Sequence, residues 1–123
     1  MARLKPKSPY IHEGVEFIDS TFGRYCEIGR GSRIKNSIIG DYSYCDRYAD
    51  IANASVGKFS NIASFVRIGA SDHPLDRASL HHFQYRSDDY WDNAVADNVW
   101  FEKRETRISY IGHDTWLGHN SQI

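Results

Sequence analysis

The chain is short of cysteine, of surplus charge and of long apolar runs, and each shortage excludes something. Cys26 and Cys45 are the only two cysteines. They have no metal-type spacing and are too few for a disulfide framework, so they read as core thiols of a cytoplasmic protein. Lys and Arg total 15 against 16 Asp and Glu, with no basic run. That balance argues against a nucleic-acid partner. No apolar stretch approaches the roughly 20 residues that cross a bilayer, so no membrane partner is expected. The opening "MARLKPKSPY" is charged but lacks the apolar centre of a secretory signal. What remains, at 123 residues and 41% hydrophobic, is a single soluble domain with a modest core.

Periodicity is what the chain does have. Apolar residues fall at Phe22, Ile28, Ile34, Ile39, Cys45, Ile51, Val56, Ile62 and Ile68, in steps of 6, 6 and 5 that return every 17 residues. Counting backwards gives Phe17, Ile11 and Lys5, of which only the lysine misses. Gly23, Gly29, Gly40, Gly57, Gly69, Gly112 and Gly118 each directly follow an apolar position in this series or in its later return. Four residues after the apolar position stands a small or aliphatic residue: Cys26, Ser32, Ser43, Ala49, Ser55, Ser60, Val66, Thr115 and Ser121.

Neither a 3.6-residue helix nor a two-residue alternation produces a six-residue period. A triangular coil does. Each hexapeptide forms one short strand, three strands close one turn, and stacked turns bury a core that no single turn can bury. The periodic apolar residue points inward, the small residue packs beside it, and the glycine is expected to relax the backbone at the corner. Evenly spaced but ordinary strands are the alternative.

After Ile68 the next step of five lands on His73, so His73 stands where the next turn should begin. The pattern resumes only at Ile111. Residues 70 to 107 form a long excursion carrying His81, His82, Phe83, Tyr85, Tyr90, Trp91, Trp100 and Phe101. So many rings do not suit a solvated linker, and the loop is expected to pack on its own coil or on a neighbouring subunit. "DDYWDNAVADNVWFEKRET" has the charge order of a short helix, with Asp early and Lys-Arg late. The domain is therefore expected to span 1–123, with coils at about 5–72 and 108–123 and a protruding loop at about 70–107.

"IGDYSY", "VGKFSN", "IGHDTW" and "LGHNSQ" resemble the hexapeptide repeat of the left-handed parallel β-helix family. The fold class expected is therefore all-β, a left-handed parallel β-helix of hexapeptide repeats with the long excursion at about 70–107. "VGKFSNIASFVRIGASDHPLDRASLHHFQYR", followed by "ISYIGHDTWLGHNSQI", resembles the xenobiotic acetyltransferase branch of that family. It looks most like the hexapeptide transferases associated with phosphonate metabolism. The resemblance implies a homotrimer, acetyl-CoA as co-substrate and a small-molecule acceptor bound between adjacent subunits. It also implies His73 as general base, with His81, His82, Tyr85 and Trp116 at the acceptor site and Gly118 and Asn120 toward acetyl-CoA. No metal is expected.

The chemistry suits a histidine. A hydroxyl or amine must lose its proton as it attacks a thioester, and an imidazole can accept that proton near neutral pH. The oxyanion needs donors, most simply backbone N–H groups near a coil corner. His81 and His82 either shape the acceptor site or pack among the loop rings, and Trp116 divides between packing and pocket wall. His12 reads as a surface residue. γ-class carbonic anhydrases share the coil and bind zinc through histidines, and His73, His113 and His119 are the residues to weigh. The spacing does not suit, because that family places a further histidine five residues after the one His119 resembles. His113 also lies six residues before it, in the matching slot of the preceding hexapeptide.

Ile123, the last residue, is an inward position in the middle of a turn. A solenoid needs a cap over its core edge and unpaired strands. The resemblance implies further coils that supply much of the acetyl-CoA groove, so a coil truncated at its C-terminal end is expected, with an open edge that favours self-association. A non-catalytic β-helix assembly protein is thus the alternative to an acetyltransferase.

Overall fold

The computed structural model describes residues 1–123. The chain divides into two compact units, Met1–Ala70 with Ile108–Ile123, and Ser71–Arg107. The first unit holds all the strands: β1 (Tyr10–Ile11), β2 (Glu16–Ile18), β3 (Thr21–Phe22), β4 (Glu27–Ile28) and β5 (Arg33–Lys35). Then come β6 (Ile38–Ile39), β7 (Tyr44–Cys45), β8 (Asp50–Ala52) and β9 (Ala54–Val56). The last are β10 (Asn61–Ile62), β11 (Arg67–Ile68), β12 (Ser109–Ile111) and β13 (Trp116–Leu117). They form three parallel sheets, in the orders β1-β4-β7-β10-β13, β11-β8-β5-β2 and β12-β9-β6-β3. Successive strands go to successive sheets, so this unit is an all-β parallel solenoid.

Within a sheet, like pairs with like: Ile11 with Ile28, Phe17 with Ile34, Ile39 with Val56 and Ile51 with Ile68. Ile28, Ile34, Ile39, Cys45, Ile51, Val56, Ile62, Ile68 and Ile111 form one buried cluster. The excursion does not cost the coil a turn at His73. Ile111 pairs with Val56 and fills the register place that the sequence count gave to residue 73. The whole segment is inserted at the corner between β11 and β12, and the stack continues beyond it.

The small inward residue is set by the apolar residue that follows it, two positions later, and not by the one before. Strand side chains alternate, so residues two apart share a face. Where a step is five residues long the two rules disagree, and the buried residues there are Ser37 and Ala54. Ser55, expected inward, is only half-buried. The buried serines are relays between turns. Ser43 Oγ donates to the Gly57 carbonyl at 2.6 Å and accepts the Ser60 N–H at 3.0 Å. Ser32 Oγ likewise donates to the Asp46 carbonyl and accepts the Ala49 N–H, each at 3.1 Å.

The corners differ from expectation in the same instructive way. Left-handed φ falls not on the glycine after the apolar residue but three residues before the next one: Tyr25, Asn36, Tyr42, Tyr48, Asn53, Phe59 and Phe65. A non-glycine residue in that region costs about 1–2 kcal/mol. Contacts between turns offset it. The Tyr42 and Phe59 N–H groups donate to the Arg24 and Asp41 carbonyls of the preceding turn. Tyr25, Tyr42 and Phe59 stack at 4.9 Å, and Asn36 Nδ2 donates to Asn53 Oδ1 at 2.8 Å. The glycine serves close approach instead: a Cβ on Gly40 would lie 2.7 Å from the Gly57 carbonyl carbon. Gly69 is the exception with both needs, φ +74° and a Cβ that would collide with the Ala52 carbonyl oxygen.

The second unit, Ser71–Arg107, has no strands. It contains short 3-10 turns at His82–Gln84 and Ser87–Asp89 and one helix, α1 (Asn98–Glu105). Asp97 caps α1 by accepting the Trp100 N–H at 3.0 Å, and Lys103 and Arg104 sit in its last turn. This is the charge order favoured by the helix dipole. Tyr85 is the buried centre, 5.5 Å from the rings of both Trp100 and Phe101, with the Arg104 guanidinium over its face. No helix of the chain is long and apolar enough to cross a membrane.

Candidate active site in the inserted segment

Asp72 and Arg107, at the two ends of the inserted segment, form an ion pair. Arg77 and Asp97 form another at 2.8 Å. Inside this frame lies an open cavity of about 840 Å³, lined by Ser71, Asp72, His73, Leu75, Leu80, His81, Trp100 and Arg107. That volume lies in the range of small-molecule sites, roughly 300–1,000 Å³.

His73 is exposed and precedes a buried proline, Pro74. A following proline disfavours the helical backbone at residue 73. His73 Nδ1 lies 2.7 Å from the Leu80 carbonyl oxygen. A carbonyl only accepts, so Nδ1 carries the proton and the neutral ring keeps its lone pair on Nε2. The Tyr85 hydroxyl stands 3.5 Å from the same Nδ1, with the two rings edge to face at 6.2 Å. Tyr85 is 2% exposed and is absent from the cavity lining, so it backs the imidazole.

His81 lines the cavity and also caps the first 3-10 turn. Its Nδ1 accepts the Phe83 N–H at 3.0 Å, which leaves the proton of the neutral ring on Nε2. His82 does not line the cavity; its Nε2 shares a hydrogen bond of 2.5 Å with the Tyr90 hydroxyl. Of the residues expected at an acceptor site, then, His73 and His81 share one cavity, while Tyr85 and His82 do not line it. Trp116 belongs to the coil, on β13, and is 79% exposed. Gly118 and Asn120 form the coil corner after β13. The Gly118 carbonyl accepts from Ser121 Oγ at 2.5 Å, and the Asn120 N–H donates to the Ser64 carbonyl at 3.3 Å.

The sequence did not point to Leu75, Leu80, Trp100 or the Asp72–Arg107 pair. The one available signal was opposite charge at the two ends of the excursion. The Leu80 carbonyl, which fixes the His73 tautomer, left no signal, since a backbone acceptor is invisible to residue type.

No group of three or more His, Cys, Asp or Glu side chains is arranged to hold a metal ion. His113 Nδ1 accepts the Lys58 N–H at 2.8 Å, and His119 packs edge-on against Phe65. Burial pushes both the Cys26 and Cys45 thiols above their ordinary range, which keeps them protonated and unreactive. No protein-family model, curated protein or solved structure matches the chain.

Proposed function

We propose that the chain is an acyltransferase of the hexapeptide-repeat class, using acetyl-CoA to acetylate a hydroxyl or amine of a small molecule in the cytoplasm, with His73 as general base. In this reading the solenoid is a left-handed coil of hexapeptide repeats that assembles as a homotrimer. One observation carries the proposal: His73 lines a ligand-sized cavity with its Nδ1–H tied to the Leu80 carbonyl. That tie leaves Nε2 as the free base, oriented from behind by a carbonyl as catalytic imidazoles require. The acceptor proton passes to Nε2 as the acceptor attacks the thioester carbonyl, and the thiolate leaves with it.

Leu75, Leu80 and Trp100 give the cavity apolar walls. Asp72 and Arg107 neutralise each other, so the wall offers no unpaired full charge. A mostly apolar acceptor fits those walls.

The test is acetyl-CoA binding by calorimetry, followed by thiol release from acetyl-CoA with a panel of small alcohols and amines. Wild type should bind and turn over. His73→Ala should bind acetyl-CoA within a few-fold of wild type and lose about 100-fold or more in kcat, the usual contribution of a general base. Absence of binding in both proteins, or equal turnover by both, would refute the reading.

A further inference from the structure

The cavity holds two imidazoles whose protons are fixed on opposite ring nitrogens. A backbone carbonyl holds the His73 proton on Nδ1, and a backbone N–H holds the His81 proton on Nε2. One ring therefore presents a lone pair and the other an N–H, and both line the same space. Resting on the acyltransferase reading, we propose that His81 is a second catalytic residue: its Nε2–H donates to the thioester carbonyl oxygen as negative charge develops there.

Other donors on the cavity wall are less suited. Arg107 is committed to Asp72. The Trp100 indole N–H is sealed from solvent and has no partner, so a ligand in an open cavity does not reach it. Ser71 offers a freely rotating hydroxyl, which orients only at an entropic cost. The His81 ring is already oriented by its Phe83 bond, by an edge contact with His82 at 4.7 Å and by a tilted contact with Tyr90 at 5.9 Å. A donor aimed in advance is what makes oxyanion stabilisation effective.

The step balances. The acceptor O–H or N–H proton moves to His73 Nε2 while the new bond to the carbonyl carbon forms. The carbonyl π pair moves onto oxygen, against the His81 N–H. That pair then returns, the C–S bond breaks, and the thiolate departs with the proton held by His73.

Two substitutions separate this role from the capping role of His81. His81→Ser keeps a side-chain oxygen that can accept the Phe83 N–H, but its short hydroxyl no longer reaches the place of the imidazole Nε2–H, whereas His81→Asn keeps the cap and offers an amide N–H on a longer side chain. The probe is acetyl-CoA alone with water as acceptor, followed by thiol release. His81→Ser should lose about 100-fold in kcat with KM within twofold and an unchanged melting temperature. His81→Asn should recover at least tenfold of that loss. Equal kcat for His81→Ser and wild type, with His73→Ala inactive, would overturn the role of His81 alone. Equal loss in both His81 variants would do the same, because an amide N–H in place of the imidazole N–H would then restore nothing. A wild type that neither binds acetyl-CoA nor releases its thiol with any alcohol or amine of the panel would overturn the acyltransferase reading together with it.

Discussion

Ser43→Ala tests the relay that links one turn of the solenoid to the next. Ser43 is fully buried; its Oγ donates to the Gly57 carbonyl and accepts the Ser60 N–H. Alanine leaves that N–H buried without a partner, a cost of about 1–3 kcal/mol. The Gly57 carbonyl keeps the Ser60 hydroxyl at 3.1 Å, so its loss is smaller, about 0.5–1 kcal/mol. The sum is about 1.5–4 kcal/mol. At around 4 °C per kcal/mol for a chain of this length, the melting temperature should fall by roughly 6–16 °C. Urea denaturation followed by far-UV circular dichroism measures the same quantity directly. Ser55→Ala is the control. Six-residue counting makes Ser55 equivalent to Ser43, but it is only half-buried and should cost under about 0.5 kcal/mol. Equal losses in the two variants, or a Ser43→Ala protein as stable as wild type, would refute the assignment of inward positions.

The remaining predictions follow from close approach, ionisation and thiol burial. Gly40→Ala should destabilise by about 1–3 kcal/mol, because its Cβ would sit 2.7 Å from backbone of the next turn. Gly112→Ala, whose nearest neighbour is Thr115 Oγ1 at 3.9 Å, should be tolerated; matched urea titrations decide between them. The Glu27 carboxyl is held below its usual range, first by the hydrogen bond from Arg3 and further by that from His12, against an opposing effect of burial. Its contribution to stability is therefore present above the unfolded-state value near pH 4.3 and is lost as pH falls through the lower folded value. Glu27→Gln should flatten that part of the acid limb in a pH series of denaturation curves. Cys26 and Cys45 should resist a disulfide reagent at pH 8 in the folded protein, and both should react in urea. Rapid labelling of the folded chain would contradict their burial.

The solenoid was legible because its repeat is written in side-chain volume. Each of Ile28, Ile34, Ile39, Ile51 and Ile62 lies on the 6, 6, 5 count and each is buried. The corners were not legible in detail. Tyr42 and Phe59 occupy left-handed positions that propensity assigns to glycine or asparagine, and hydrogen bonds and ring stacking between turns offset that cost. The helix at Asn98–Glu105 could be read from its local charge order. The cavity could not, since residues from 71 to 107 meet there with no period to relate them.

By itself, then, the sequence determined the inward column of the coil, since burying an apolar residue every fifth or sixth position needs only side-chain size and the chain's own geometry. It also marked His73 as the point where the period fails. Tertiary structure alone decided that Ile111, not His73, takes the vacant register place, because register is a property of the paired strand at Val56 and not of local spacing. It alone decided the two imidazole tautomers as well. Those depend on the Leu80 carbonyl and the Phe83 N–H, backbone groups that every residue carries and that only folding brings within hydrogen-bond distance of one ring or the other.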